Sequence, residues 1–207
     1  DCQLIIMACN TASAIALRQI QQNYLMRHYP DRRVLGVIIP TLETCIEKGY
    51  QRIGLLATQR IVESAIYKTE LEKLGRGIRL YQKAAPLLVP AIELGSRKWI
   101  RPLLQDYIHP LLGKNIECLI LGCTHYGFLK NMFREEVGSQ VKIMSQDEII
   151  PAKLIDYLKR HPEIDSLIGR NGTTELQVTD ITDAYLRNAA KIFPDLAVGL
   201  ASLQELS

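Results

Sequence analysis

The sequence predicts an α/β fold, a parallel sheet covered by helices, on three observations. Short β-branched or aliphatic runs alternate along the chain with longer amphipathic stretches. The runs are apolar without a polar alternate, as strands buried on both faces read. Gly and Pro fall between the periodic segments, at the places where turns and first helical turns tolerate them.

Taken in order, strands are expected at 4–8, 34–38, 53–57, 78–81, 118–121 and 141–144. Helices are expected at 11–27, 41–49, 60–74, 95–112, 126–137, 148–160 and 182–192. Gly75 ends the third of these helices, as glycine commonly does. Pro40, Pro86, Pro90 and Pro151 mark loops or first turns.

The 207 residues suffice for one large or two small domains. With 47% hydrophobic and 23% charged residues, the composition is that of an ordinary globular protein. Lys and Arg number 25 against 22 Asp and Glu. The densest basic stretch, 27–33, is interrupted by Tyr29, Pro30 and Asp31, so it reads as solvated surface and gives no reason to expect a nucleic-acid partner. The longest apolar runs, 4–9 and 118–123, fall far short of the ~20 residues that cross a bilayer, so no membrane span is expected. Neither a dinucleotide glycine fingerprint nor a P-loop is present.

Five cysteines, at 2, 9, 45, 118 and 123, show no Cys-x-x-Cys and no zinc-ligand spacing. Reduced thiols suit a cytoplasmic protein. Cys2, Cys45 and Cys118 are read as small buried packing residues.

Cys9 and Cys123 are different. The run Leu4-Ile5-Ile6-Met7-Ala8-Cys9-Asn10-Thr11 is echoed by Cys118-Leu119-Ile120-Leu121-Gly122-Cys123-Thr124-His125. Each is a strand, a small residue, a cysteine, then polar residues opening a helix. Ligands of parallel α/β sheets bind at the carboxyl ends of strands, so both thiols are expected to face a cleft. The N–H groups and dipole of the following helix suit a carboxylate and are expected to lower the thiol pKa toward neutrality. Asn10, Thr11 and Thr124 can add side-chain hydrogen bonds. Two thiols without metal or redox spacing suit inversion at a carbon acid, in which one removes the α-proton and the other protonates the opposite face. A hydrolase using Cys123 with His125 as base is the competing enzyme reading; two positions apart is awkward geometry for that pair, and it leaves Cys9 without a role.

At these residues the sequence resembles the glutamate racemase branch of the aspartate/glutamate racemases. The resemblance rests on Ala8-Cys9-Asn10-Thr11-Ala12-Ser13 and Gly122-Cys123-Thr124-His125-Tyr126, on the proline-bracketed segment from Pro86 to Glu93, and on Gly54-Leu55-Leu56-Ala57-Thr58. It implies two pseudo-symmetric lobes, the first from residues 1–28 plus 145–207 and carrying Cys9, the second from 29–144 and carrying Cys123. It implies Cys9 and Cys123 as acid/base pair, His125 and Glu93 as hydrogen-bond partners or proton relays of Cys123, and Asn10, Thr11, Thr58 and Thr124 as substrate contacts. Taken alone, His125 also reads as a helix-start hydrogen-bonder, Glu93 as a surface carboxylate and Thr58 as a cap.

By the same resemblance, the histidine after Cys123-Thr124 implies glutamate over aspartate, since aspartate racemases carry a glutamate there. The resemblance further implies no cofactor, a homodimer, and supply of D-glutamate to peptidoglycan. The chain opens on Asp1-Cys2 and enters an apolar run at once. The first lobe is therefore expected to be incomplete at its N-terminus, without the family's Asp-Ser-Gly loop. Thr41, Ala57 and Gly127 depart from the family's usual residues and are expected to alter loop shape. The alternative function is a catalytically silent member that binds a small carboxylate or a protein partner.

Overall fold

A computed structural model describes residues 2–75, 77–172, 177–178, 182 and 204–205. The chain divides into two compact units, Asp1–Ile168 and Gly169–Ser207.

The first unit is α/β with parallel strands in two sheets flanked by helices. β1 (Leu4–Met7) pairs with β2 (Arg33–Gly36), Leu4 opposite Arg33 and Met7 opposite Gly36. In the larger sheet β3 (Arg52–Ala57), β4 (Arg79–Ala84), β5 (Cys118–Gly122) and β6 (Lys142–Met144) lie in the order β4-β3-β5-β6. All six expected strands of this unit are present, shifted by a few residues at their ends. β2, which the division at residue 29 assigns to the second lobe, is bonded to β1 and not to the four-stranded sheet.

The central strands β3 and β5 are apolar on both faces, and the alternation of their side chains divides the core in two. Leu56, Leu119 and Leu121 pack with Leu104, Ile108 and Phe133 on one face. Ile53, Leu55, Cys118 and Ile120 pack with Leu42, Tyr67 and Leu71 on the other. Burial on both faces fails for β1, where Ile5 and Ile6 are 48% and 38% exposed. A strand paired on one side only has fewer neighbours to cover it.

The helices keep the expected order with altered ends. α1 (Asn10–Gln19) runs through a π-helical turn, Ile20–Leu25, into α2 (Met26–His28). α3 (Ile38–Glu47) begins three residues early and takes Pro40 and Thr41 into its first turns, so Thr41 is a buried helical residue and not a loop residue. The helix expected at 60–74 is two, α4 (Gln59–Ser64) and α5 (Ile66–Leu74), separated by Ala65 at φ +51°. α6 (Leu88–Glu93) is a short helix in the proline-bracketed segment. α7 (Arg97–Leu112), α8 (Lys130–Val137), α9 (Gln146–Arg160) and α10 (Pro162–Asp165) follow. No described helix is long and apolar enough to cross a membrane.

In the basic stretch, Arg32 and Arg33 donate to the carbonyls of Cys2 and Pro30, as an exposed surface segment does. Cys45 and Cys118 are buried as expected, but Cys2 is exposed. The hydrogen bond with Cys45, together with burial, holds the Cys118 thiol protonated.

The start of β3 is tied to the start of β5 by Glu117. Its carboxylate accepts the backbone N–H groups of Gln51 (2.6 Å) and Arg52 (2.8 Å) and the Arg52 guanidinium (3.0 Å). These bonds hold its pKa below the usual carboxylate value. A lowered native pKa stabilises the fold above the unfolded pKa, and the contribution is lost as pH falls through the native one. Urea midpoints measured from neutral to acid pH are therefore expected to fall less steeply for Glu117→Gln than for the parent, from a lower starting value.

The second unit contains β7 (Gln177–Val178) paired in parallel with β8 (Gln204–Glu205). The helix expected at 182–192 lies outside the described residues except for Thr182.

Candidate active site

Both cysteine elbows form as strand-to-helix junctions. Cys9 leaves β1 with extended backbone (φ −74°, ψ 123°) and stands at the N-cap of α1. Its carbonyl accepts the Ser13 N–H at 2.9 Å, and the Ser13 hydroxyl reaches back to the Met7 carbonyl at 2.8 Å. The elbow is thus closed on itself, with the Cys9 side chain exposed.

Cys123 leaves β5, also extended (φ −146°, ψ 136°), and opens a 3-10 segment, Thr124–Leu129. Gly122 before it sits against β3: a Cβ there would come within 2.7 Å of Leu55 Cδ1 and 3.1 Å of the Leu56 carbonyl. The room provided by this glycine admits a neighbouring strand rather than a ligand. Because Ala57 is the register partner of Gly122, Thr58 and Cys123 emerge side by side at the carboxyl ends of adjacent strands.

Thr58 caps α4, accepting the Ile61 N–H at 3.3 Å. Its hydroxyl also lies 3.4 Å from that of Thr11 in the first turn of α1. This contact joins the Cys9 elbow to the strand ends that carry Cys123. Burial pushes the Cys123 thiol up, the charge of Cys9 and then that of Glu93 push it the same way, and the backbone N–H of His125 and the Thr124 hydroxyl pull it back. The expected lowering toward neutrality does not hold for Cys123 in this site. A six-residue 3-10 segment presents a weak dipole, and desolvation of the half-buried sulfur outweighs it.

His125 lies with Nδ1 3.8 Å from Cys123 Sγ and Nε2 3.0 Å from Glu93 Oε1 at the end of α6. An ionised carboxylate only accepts, so Nε2 carries the proton in the neutral ring and Nδ1 accepts from the thiol. The two-residue separation expected to be awkward is bridged, since the extended Cys123 is followed at once by a tight turn. Glu93 is exposed, yet it is bonded to the site through His125.

Asn10 is brought beside Cys9, but its side chain faces inward. It is 2% exposed and exchanges two hydrogen bonds with Gln146, Nδ2 to Oε1 at 2.8 Å and Gln146 Nε2 to Oδ1 at 2.9 Å. Tyr67 also donates to Oδ1 at 2.7 Å. The sequence reading missed Gln146, Tyr67 and the buried Thr41. A signal existed for Gln146 alone, since it opens a helix directly after the strand ending at Met144. A separate cavity of 350 Å³ is lined by Leu17, Leu35, Ile39 and Leu154 among others, and by neither Cys9 nor Cys123.

Thiolate attacks alkylating reagents, and exposure adds to its rate. Iodoacetamide at neutral pH is therefore expected to label Cys9 ahead of Cys123, with Cys123 labelling accelerating into the alkaline range. Peptide mass spectrometry reads both rates, and equal labelling at neutral pH would contradict the burial argument.

Two strand-end cysteines, a histidine-carboxylate pair behind one of them and a threonine contact joining the two elbows make up the candidate site, and the chain belongs to the Asp/Glu/Hydantoin racemase family, whose profile matches residues 1–147. It is 34% identical over 174 residues to a glutamate racemase of Roseobacter denitrificans, covering 78% of this chain and 64% of that protein. It is 35% identical over 176 residues to the Paracoccus denitrificans glutamate racemase, covering 79% and 64%. The chain thus spans somewhat less than two thirds of the length of these relatives. Among solved structures, the glutamate racemase of Francisella tularensis in complex with D-glutamate aligns at TM-score 0.80 and 25% identity, over 99% of this chain and 73% of that one. A Bacillus anthracis glutamate racemase aligns at 0.81 and 24% identity, over 99% and 74%, and supports the fold.

Proposed function

We propose that this site interconverts L- and D-glutamate without a cofactor, Cys9 and Cys123 serving as the two acid/base groups. The observation that carries the reading is the junction of two cysteine-bearing strand-to-helix elbows, the Thr11–Thr58 contact at 3.4 Å joining the Cys9 elbow to the strand ends that carry Cys123. Thiolate on one side removes the α-proton, the electron pair moves into the α-carboxylate as an enolate, and the opposite thiol returns a proton to the other face. The reverse reaction exchanges the roles.

Like-charge repulsion disfavours ionisation of both thiols at once, so a charge on one side of the substrate leaves the other side able to donate a proton. His125, oriented by Glu93, takes and returns the Cys123 proton. Thr11, Thr58 and Thr124 hold the α-carboxylate with the free N–H groups of the first turn of α1. Asn10 contributes its backbone there, its side chain being engaged elsewhere. Glutamate is the favoured substrate on His125 and on the relatives' names. The product would serve peptidoglycan synthesis in the cytoplasm, and the protein would act as a homodimer of two-lobed subunits, the first lobe extending through β2.

The test is NMR of Cα deuterium exchange and inversion of L- and D-glutamate and aspartate in D2O. It uses this chain and a longer one carrying an N-terminal strand and Asp-Ser-Gly loop. Inversion of glutamate supports the reading. Absence of exchange with every amino acid in both proteins would sink it.

A further inference from the structure

Four helices meet in a buried polar knot directly behind Cys9. Asn10 opens α1, Gln146 opens α9, Tyr67 comes from the first turn of α5 and Thr41 from α3. Tyr67 and Thr41 are fully buried and Gln146 is 8% exposed. Besides the reciprocal amide pair of Asn10 and Gln146, Gln146 Nε2 lies 3.3 Å from Tyr67 Oη and 3.4 Å from Thr41 Oγ1. Thr41 donates in turn to the Val37 carbonyl at 2.7 Å.

The partners span most of the first unit: Gln146 is 136 residues from Asn10, and Tyr67 is 57. Packing alone would be served as well by apolar side chains, since buried polar groups give little net stability and cost much when one partner is lost. What such a knot supplies is a single geometry, because each amide and hydroxyl is satisfied in one arrangement. Cys9 has no side-chain cap bond, so the direction of its exposed thiol is set by the backbone that Asn10 continues.

We propose that Gln146 and Tyr67 are positioning residues for the Cys9 thiol, acting by clamping the Asn10 side chain and thereby fixing the elbow that aims Cys9 at the substrate. The proposal rests on the two-thiol racemase reading for its kinetic consequence. Its structural consequence stands apart from it.

The experiment compares Gln146→Met and Tyr67→Phe, which keep shape and remove the polar group, with the parent chain and its N-terminally longer form. Exchange of the hydrogen-bonded α1 amides, from Ser13 (whose N–H is held by the Cys9 carbonyl) onward, is expected to accelerate roughly tenfold in both variants, the factor that accompanies loss of one buried hydrogen bond, while β5 amides keep their protection. Racemisation is expected to fall by a similar factor. The ratio of Cα exchange to inversion in D2O is expected to rise for one enantiomer only, the one whose α-proton faces Cys123, since Cys123 still deprotonates it and Cys9 no longer reprotonates the far face. Gln146→Glu, which retains one acceptor for Asn10, is expected to recover part of the α1 protection.

Protection lost uniformly over the unit, or unchanged in α1, would overturn the proposal, as would a lowered rate with an unchanged exchange-to-inversion ratio in both directions. If the parent and longer chains exchange no amino acid, the racemase reading fails, and the α1 amides alone decide whether the clamp exists.

Discussion

Serine in place of Cys9 or Cys123 is expected to lower glutamate racemisation by roughly 10²–10⁴-fold, the range supplied by a positioned general acid or base. The hydroxyl occupies the same space but does not ionise in the pH range of the reaction. The losses are not mirror images. Since Keq for interconverting enantiomers is fixed by symmetry, kcat/KM must fall equally in the two directions. The single-face exchange that survives should differ. Cys9→Ser leaves the His125-backed thiol working on its own enantiomer, and Cys123→Ser leaves the exposed thiol working on the other. Proton NMR of each enantiomer in D2O measures both quantities. Retention of full inversion in either variant would remove that cysteine from the mechanism.

The largest expected loss of stability is at Phe133. It is fully buried in α8 and packs on Tyr126, ring centroids 6.1 Å apart at 41°, within the cluster that covers one face of the larger sheet. Truncation to alanine removes the ring and leaves a cavity its neighbours cannot close, at a cost of about 3–5 kcal/mol. Urea or thermal unfolding measures it. Tyr126 belongs to the 3-10 segment that carries His125, and its hydroxyl is anchored on the Ala85 carbonyl at 3.3 Å. Loss of its packing partner should also lower racemisation per folded molecule. Phe133→Leu, which fills part of the space, is expected to lose less on both counts.

How the sequence conveyed the site differs from one residue to the next. The strands were legible because β3 and β5 are apolar on both faces, and the cysteine elbows because the motif of strand, small residue and cysteine occurs twice. Ala65 was illegible, since a non-glycine residue in the left-handed region carries no signature and the amphipathic pattern runs through it. That break brings Tyr67 into the first turn of a separate helix. The inward turn of the Asn10 side chain was hidden too, because its partners lie far away along the chain and the amphipathic pattern, which starts at 148, leaves Gln146 outside its helix. The direction of the Cys123 shift required burial, which a motif does not report.

The Glu117 clamp stands at the opposite end of β3 and β5 from Thr58 and Cys123. With both strands rigid and in register, the place where they start dictates where they finish, so Thr58 and Cys123 keep step by a ruler read from its far end. Changes that slide one strand past the other would therefore offset Thr58 from Cys123 without touching either residue, and the loop at 113–117 becomes a remote control on the alignment of that pair.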